Sequence, residues 1–322
     1  MVLLKGFIDY KSTNGCTLHP PMARTIIPPF LDPGSGIALI APSRHADPSI
    51  VQLAKDWIKQ NGWVPYPAPN LGIKKNQFGG TDKQRADDFN WSISNPKVHA
   101  IWAIRGGYGA VKIVDYINWE SFKQNPKWII GFSDFTIFLS HISKENIMGI
   151  HSWMPIQIPM LKNKSLISLS KILKGNADEL KAKRHPKNVN GKTLGKLKGG
   201  NLSVLYSLLG SDSFPKLDGC ILALEDLDEY KYHIDRMIIA LKRAGALDKV
   251  IGIAMGSFSD IKDNAEKFGQ EPYEIIKENF PKNIPLAIDL PFGHESDNEA
   301  FITGNTYELE VNDSGSRLAP VL

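Results

Sequence analysis

The sequence predicts an α/β fold, in which a parallel-sheet domain carries a nucleophile turn and a smaller mixed α/β domain follows it. Three observations predict it. Short apolar runs alternate with helix-periodic segments through the first half, an order that builds parallel sheets covered on both faces. Two of those runs stop at unusual turns, Arg105-Gly106-Gly107-Tyr108-Gly109 and Gly131-Phe132-Ser133-Asp134. At 322 residues, the chain has material for two domains and a sizeable core.

Taken in order, residues 1–35 hold Pro20, Pro21, Pro28 and Pro29 and lack sustained periodicity, so they are read as an extended arm. The first domain is expected over 36–162. It opens with an apolar strand over 37–43. A helix over 49–61 follows, because Ile50, Leu53, Ala54, Trp57 and Ile58 share one face. A second helix is expected over 81–93, where Thr81 and Gln84 have the spacing of a capping box. Residues 100–104 form a strand that runs into the glycine cluster, and 110–117 a helix. The strand over 128–131 then leads to Ser133. Ligands bind at the carboxyl ends of such strands, and both turns fall there.

Residues 163–192 are read as a solvated basic linker, since 161–198 hold eleven Lys or Arg against two acids. That stretch has no aromatic residue on which a base would stack, so no nucleic-acid partner is expected. The second domain is expected over 193–322. Its strands lie at 194–198, 219–225, 249–255, 284–290 and 307–311. Its helices run from Gly199-Gly200-Asn201 to residue 209, over 232–244 and over 272–279.

Composition adds bounds. An apolar fraction of 42%, a charged fraction of 22% and a net charge of +4 are ordinary for a globular protein. Cys16 and Cys220 make no disulfide framework and have no metal-ligand spacing. Lys5 interrupts the first apolar residues too early for a signal peptide, and no stretch approaches a membrane span. A cytoplasmic protein without a membrane partner is the expectation.

Ser133, Glu225 and His294 are the candidate chemistry. A serine at the tip of a strand-to-helix turn presents its hydroxyl, and the following N–H groups face an oxyanion. The competing role is a helix N-cap. Ser259 also follows an apolar strand, so spacing does not choose between them. Glu225 closes the strand over 219–225 and begins an acidic run, Glu225 to Glu229, which is also compatible with a metal site, for which His233 is the one nearby histidine, or with the commoner solvated loop. His294 sits in a polar loop rather than on an apolar face. Serine, carboxylate and histidine together are the parts of a hydrolytic triad. A glycine of the Gly106-Gly107 turn and the Asp134 N–H are candidate oxyanion donors.

These residues resemble the LD-carboxypeptidase (muramoyltetrapeptide carboxypeptidase) family of serine peptidases, which includes microcin C7 self-immunity proteins. The resemblance rests on Ile40-Ala41-Pro42-Ser43, Arg85-Ala86-Asp87-Asp88-Phe89-Asn90, Arg105 to Ala110, Gly131 to Asp134, Gly199 to Ser203, Leu224-Glu225-Asp226 with Tyr232 to Arg236, and Pro291 to His294. It implies that Ser133 is the nucleophile, His294 the base and Glu225 its orienting carboxylate. It also implies that Gly107 and Asp134 donate to the oxyanion, that no metal or other cofactor takes part, and that the chain forms a homodimer. The implied reaction is hydrolysis of the L-diamino acid–D-alanine bond of a murein tetrapeptide or related small peptide. An amidase acting on aminoacyl or peptidyl nucleotide conjugates is the alternative within the family, with Trp153 as a candidate to stack a purine. A non-catalytic muropeptide-binding module is the alternative outside it.

Overall fold

The computed structural model describes residues 25–321. The expected arm therefore lies outside the described residues as far as residue 24, as does Cys16. The described remainder is tied to the first domain. The Ile26 N–H donates to the Asn146 carbonyl at 2.8 Å, and Phe30 stacks on Trp128 at 5.7 Å.

The first half forms β1 (Gly36–Ile40), α1 (Pro48–Gln60), β2 (Val64–Pro67), α2 (Asp82–Ser94), β3 (Val98–Ala103), α3 (Trp119–Gln124), β4 (Trp128–Gly131), α4 (Thr136–Lys144) and β5 (Gly149–His151). Its five strands are parallel, in the order β5-β4-β3-β1-β2. One face packs on α2, α3 and α4 through Phe89, Phe122 and Phe138. The other packs on α1 through Trp57, beside Trp102 and Trp153. Those three indoles meet at 5.0–5.3 Å. Such aromatic pairs add about 0.5–1.5 kcal/mol each beyond their buried area. Both halves of the Thr81–Gln84 capping box are present.

The chain continues through α5 (Asn163–Leu173), β6 (Leu180–Lys183), β7 (Gly191–Asn201), α6 (Leu202–Ser207), β8 (Cys220–Leu227), α7 (Lys231–Arg243), β9 (Gly252–Ser259), α8 (Pro272–Asn279), β10 (Leu286–Ala287), β11 (Phe301–Thr303), β12 (Thr306–Asn312) and β13 (Gly315–Pro320). A second, mixed sheet runs β10-β9-β8-β7-β12-β13-β6. Helices α6, α7 and α8 cover one of its faces. Residues Ile221, Ala223, Phe292 and Phe301 cluster on the other.

Three expectations are corrected. The stretch 163–192 is not a solvated linker throughout. Its lysines lie outside, but Leu169, Ile172 and Leu173 of α5 are buried against the first sheet, and β6 pairs with β13. Residues 110–117 form two 3₁₀ turns, Ala110–Lys112 and Val114–Tyr116, rather than one helix. The segment is short and rich in β-branched residues, and the Ala110 N–H is held by the Asp134 carboxylate. Finally, β11 pairs antiparallel with β5 and so covers the edge of the first sheet, although the sequence reading puts it in the second domain.

Candidate active site

Ser133 opens a 3₁₀ turn at the carboxyl end of β4, with φ at +59°. A non-glycine residue in that region is uncommon and marks a strained turn. The turn is tight because Phe135 folds back over Gly131, where an added Cβ would lie 2.7 Å from the Phe135 ring. The helix that follows starts only at Thr136, so Ser133 is not its N-cap. Gly106 approaches from the neighbouring strand end, and a Cβ there would sit 3.3 Å from Ser133 Oγ.

Asp134 fixes that approach. Its buried Oδ2 accepts from Ser43 Oγ at 2.5 Å and from the Ala110 N–H at 2.9 Å. It thus joins the ends of β1, β3 and β4. Burial raises its carboxyl above the usual range, while the bonds from Ser43 and Ala110 oppose the rise. Arg85, also buried, donates to the Gly109 carbonyl at 2.8 Å and to that of Pro42.

Glu225 comes from the other sheet. Side chains alternate along β8, so Glu225 continues the face of Ile221 and Ala223. It is fully buried, and its Oε2 lies 2.7 Å from His294 Nδ1. A proton on Nδ1 donated to this carboxylate leaves Nε2 as the free acceptor. Burial of the imidazole disfavours its charge, but Glu225, joined by Asp226 and Glu295, offsets this, and the pKa of His294 is raised. The ring rests on Phe132 at 4.6 Å between centroids. Its loop is held by the His294 N–H on Ser257 Oγ at 3.1 Å and the Gly293 N–H on Asn298 Oδ1 at 3.1 Å.

Ser133 and His294 line one cavity of about 440 Å³, together with Arg44, Arg105, Gly106 and Gly107. Ser259 does not line it and instead donates to Glu295 at 2.6 Å. Asp226 does not join Glu225 in a metal cluster, for its carboxylate accepts from Asn201, Ser203 and Leu227. Burial, then the Glu225 charge, pushes it up to about 7. Among the described residues, no group of three or more His, Cys, Asp or Glu is arranged to hold a metal ion. Trp153 is wholly buried and donates to the Ser165 carbonyl, so it is not available to stack a base.

The LD-carboxypeptidase N-terminal domain model matches residues 37–152, and the LD-carboxypeptidase C-terminal domain model matches residues 194–309. The chain belongs to the LD-carboxypeptidase family. Membership makes it a peptidase, and the first matched segment carries β1 to β5 while the second carries β8, β9 and most of β7 and β12. A Synechocystis relative that bears a carboxypeptidase name is 34% identical over 89% of this chain and 94% of its own. The murein tetrapeptide carboxypeptidase of Pseudomonas aeruginosa is 28% identical over 86% and 93% respectively. The crystal structure of muramoyltetrapeptide carboxypeptidase from Oxalobacter formigenes matches with a TM-score of 0.81 at 25% identity. It covers 89% of this chain and 98% of that one.

Sequence reasoning missed Arg44, which lines this cavity, and Ser257 and Asn298, which hold the His294 loop. Arg44 follows Pro42-Ser43 at a strand end, which was the available signal. Ser257 and Asn298 act through contacts with the His294 loop and carry no local signal.

Proposed function

We propose that the chain is a serine LD-carboxypeptidase that removes the C-terminal D-alanine from murein tetrapeptides, with Ser133, His294 and Glu225 as its triad. The observation that carries this reading is the convergence of two sheets on one cavity. A strained serine comes from the first, and a histidine bonded to a buried carboxylate comes from the second.

In this reaction His294 Nε2 takes the Ser133 proton as Oγ attacks the carbonyl of the L-diamino centre. The N–H groups of Gly107 and Asp134 hold the oxyanion. His294 then gives the proton to the departing D-alanine nitrogen, and an acyl-enzyme remains. Water, deprotonated by His294, attacks the ester carbonyl, frees the tripeptide and restores Ser133. Glu225 stabilises the imidazolium without taking its proton. Homodimeric assembly and a cytoplasmic role in recycling imported wall fragments accompany this proposal. The cavity supports a peptide over a nucleotide conjugate, since Phe132 is its one aromatic wall among the described residues and already carries His294.

The test is mass-spectrometric detection of D-alanine released from purified murein tetrapeptide. Wild type should release it, and Ser133→Ala should lower kcat by about 10⁴-fold or more. Release at similar rates by both proteins would discard Ser133 as nucleophile.

A further inference from the structure

Arg44 and Arg105 stand in the wall of the Ser133 cavity without an ionic partner among the described residues. Arg105 is half-buried. Its Nε is buried without an acceptor, and its one hydrogen bond is a long one, 3.5 Å to the His45 carbonyl. Burial, then the charge of Arg44, depresses its pKa, and Asp47 opposes this only through space. Two acids that also line the cavity are each held by another partner. Asp228 is held by Lys262 at 2.5 Å, and Glu229 by His233 at 2.5 Å. Arg44 lies along the glycine turn, where a Cβ on Gly107 would fall 2.6–2.8 Å from its Cδ, Cγ and Nε.

Two adjacent guanidiniums that cannot lose their protons repel each other, and an anion between them removes that cost. Guanidinium binds carboxylate in bidentate geometry. The leaving group of a carboxypeptidase is one residue, so its carboxylate lies no more than about 3.3–3.6 Å of chain beyond the scissile carbonyl. A cation beside the oxyanion turn is at that reach. We infer that Arg44 and Arg105 form the site for the C-terminal carboxylate of the departing residue. This inference rests on the reaction proposed above. The pair restricts cleavage to the last bond, because an internal bond of a longer peptide brings no carboxylate to it.

The test is calorimetric titration of Ser133→Ala protein with murein tetrapeptide and with its C-terminal amide. The acid should bind at least about 10-fold more tightly than the amide. Adding Arg105→Gln or, separately, the exposed Arg44→Gln should bring the two within about 3-fold. Equal binding of acid and amide to the Ser133→Ala protein would overturn the inference. So would discrimination that survives both substitutions in folded protein. D-alanine release by wild type reports on the parent reaction separately. Retained discrimination without release would unseat that reaction and leave the carboxylate site standing. Binding of neither peptide would overturn the inference, and the parent reaction falls with it only where wild type also releases no D-alanine.

Discussion

Ser133 holds a backbone angle that costs an L-residue about 1–2 kcal/mol, and the turn around it is what maintains that angle. His294 is poised by different means. Burial works against its charge, and Glu225, with smaller help from Asp226 and Glu295, restores it, so that its pKa stands above the ordinary histidine value. In the reaction proposed above His294 is the general base and must be neutral, so activity should rise with pH through that raised pKa. The acidic limb of kcat/KM is therefore expected above the position of an unperturbed histidine. Glu225→Gln removes the charge that raises it. The limb should move to lower pH, while kcat falls by about 10²–10⁴-fold because the imidazolium loses its partner. A pH profile of both proteins checks this, and an unmoved limb would mean that Glu225 does not set the protonation of His294. All three candidate residues could be picked out in the sequence because each lies at the end of an apolar strand or in a polar loop. Ser257 and Asn298 were not, since they hold the His294 loop only through hydrogen bonds made in the fold.

The elements that build the site meet at strand ends, and Asp134 joins three of them. Its Oδ2 accepts a hydroxyl from the segment after β1 and an N–H from the turn after β3. Asp134→Ala leaves both donors buried and unpaired, which should cost about 2–3 kcal/mol. It should also lower kcat/KM, because the glycine turn loses its tie to Ser133. Asp134→Asn keeps an acceptor in place and should recover most of the stability. Thermal melts beside turnover decide this, and an alanine variant as stable as wild type would show that the tie does not hold the turn. Helices α1 and α2 were legible to within a residue at each end, from periodicity and a capping box. By contrast β2 was missed, since Val-Pro-Tyr-Pro reads as a turn. It is tolerated as a strand because it is an edge that pairs only with β1. The three residues of β11 are too few to show a period. Their burial comes from β5, which lies 150 residues earlier in the chain.

The whole molecule sets the β11–β5 edge of the first sheet against one face of the second, and His151 lies where they meet, at the end of β5. It stacks on Phe301 at 4.4 Å and is near Glu225 and His294 in charge. Neither ring nitrogen has a partner among the described residues. A sequence cannot reveal such a residue, because its burial depends on both domains. Burial pushes its pKa down to about 4, with Glu225 opposing and His294 adding to the shift. The unfolded chain takes up this proton near pH 6.5, so the unfolded state binds more protons between there and about 4. Through this group, stability falls as pH drops across that window, by about 3 kcal/mol in all. Asp226 acts in the opposite direction. Its folded pKa of about 7 means that the folded state keeps a proton the unfolded chain has released, so it adds stability as pH falls towards 4. The two contributions offset each other in the wild type. His151→Phe fills the same space, removes two unpaired nitrogens and leaves Asp226 alone. The variant should therefore gain on the wild type as the solution is acidified, with a difference that grows between pH 7 and pH 4.5. Urea unfolding of both proteins at those two pH values measures it. A difference that stays constant would mean that His151 is protonated in the folded protein, and that the junction between the sheets admits more water than its burial implies.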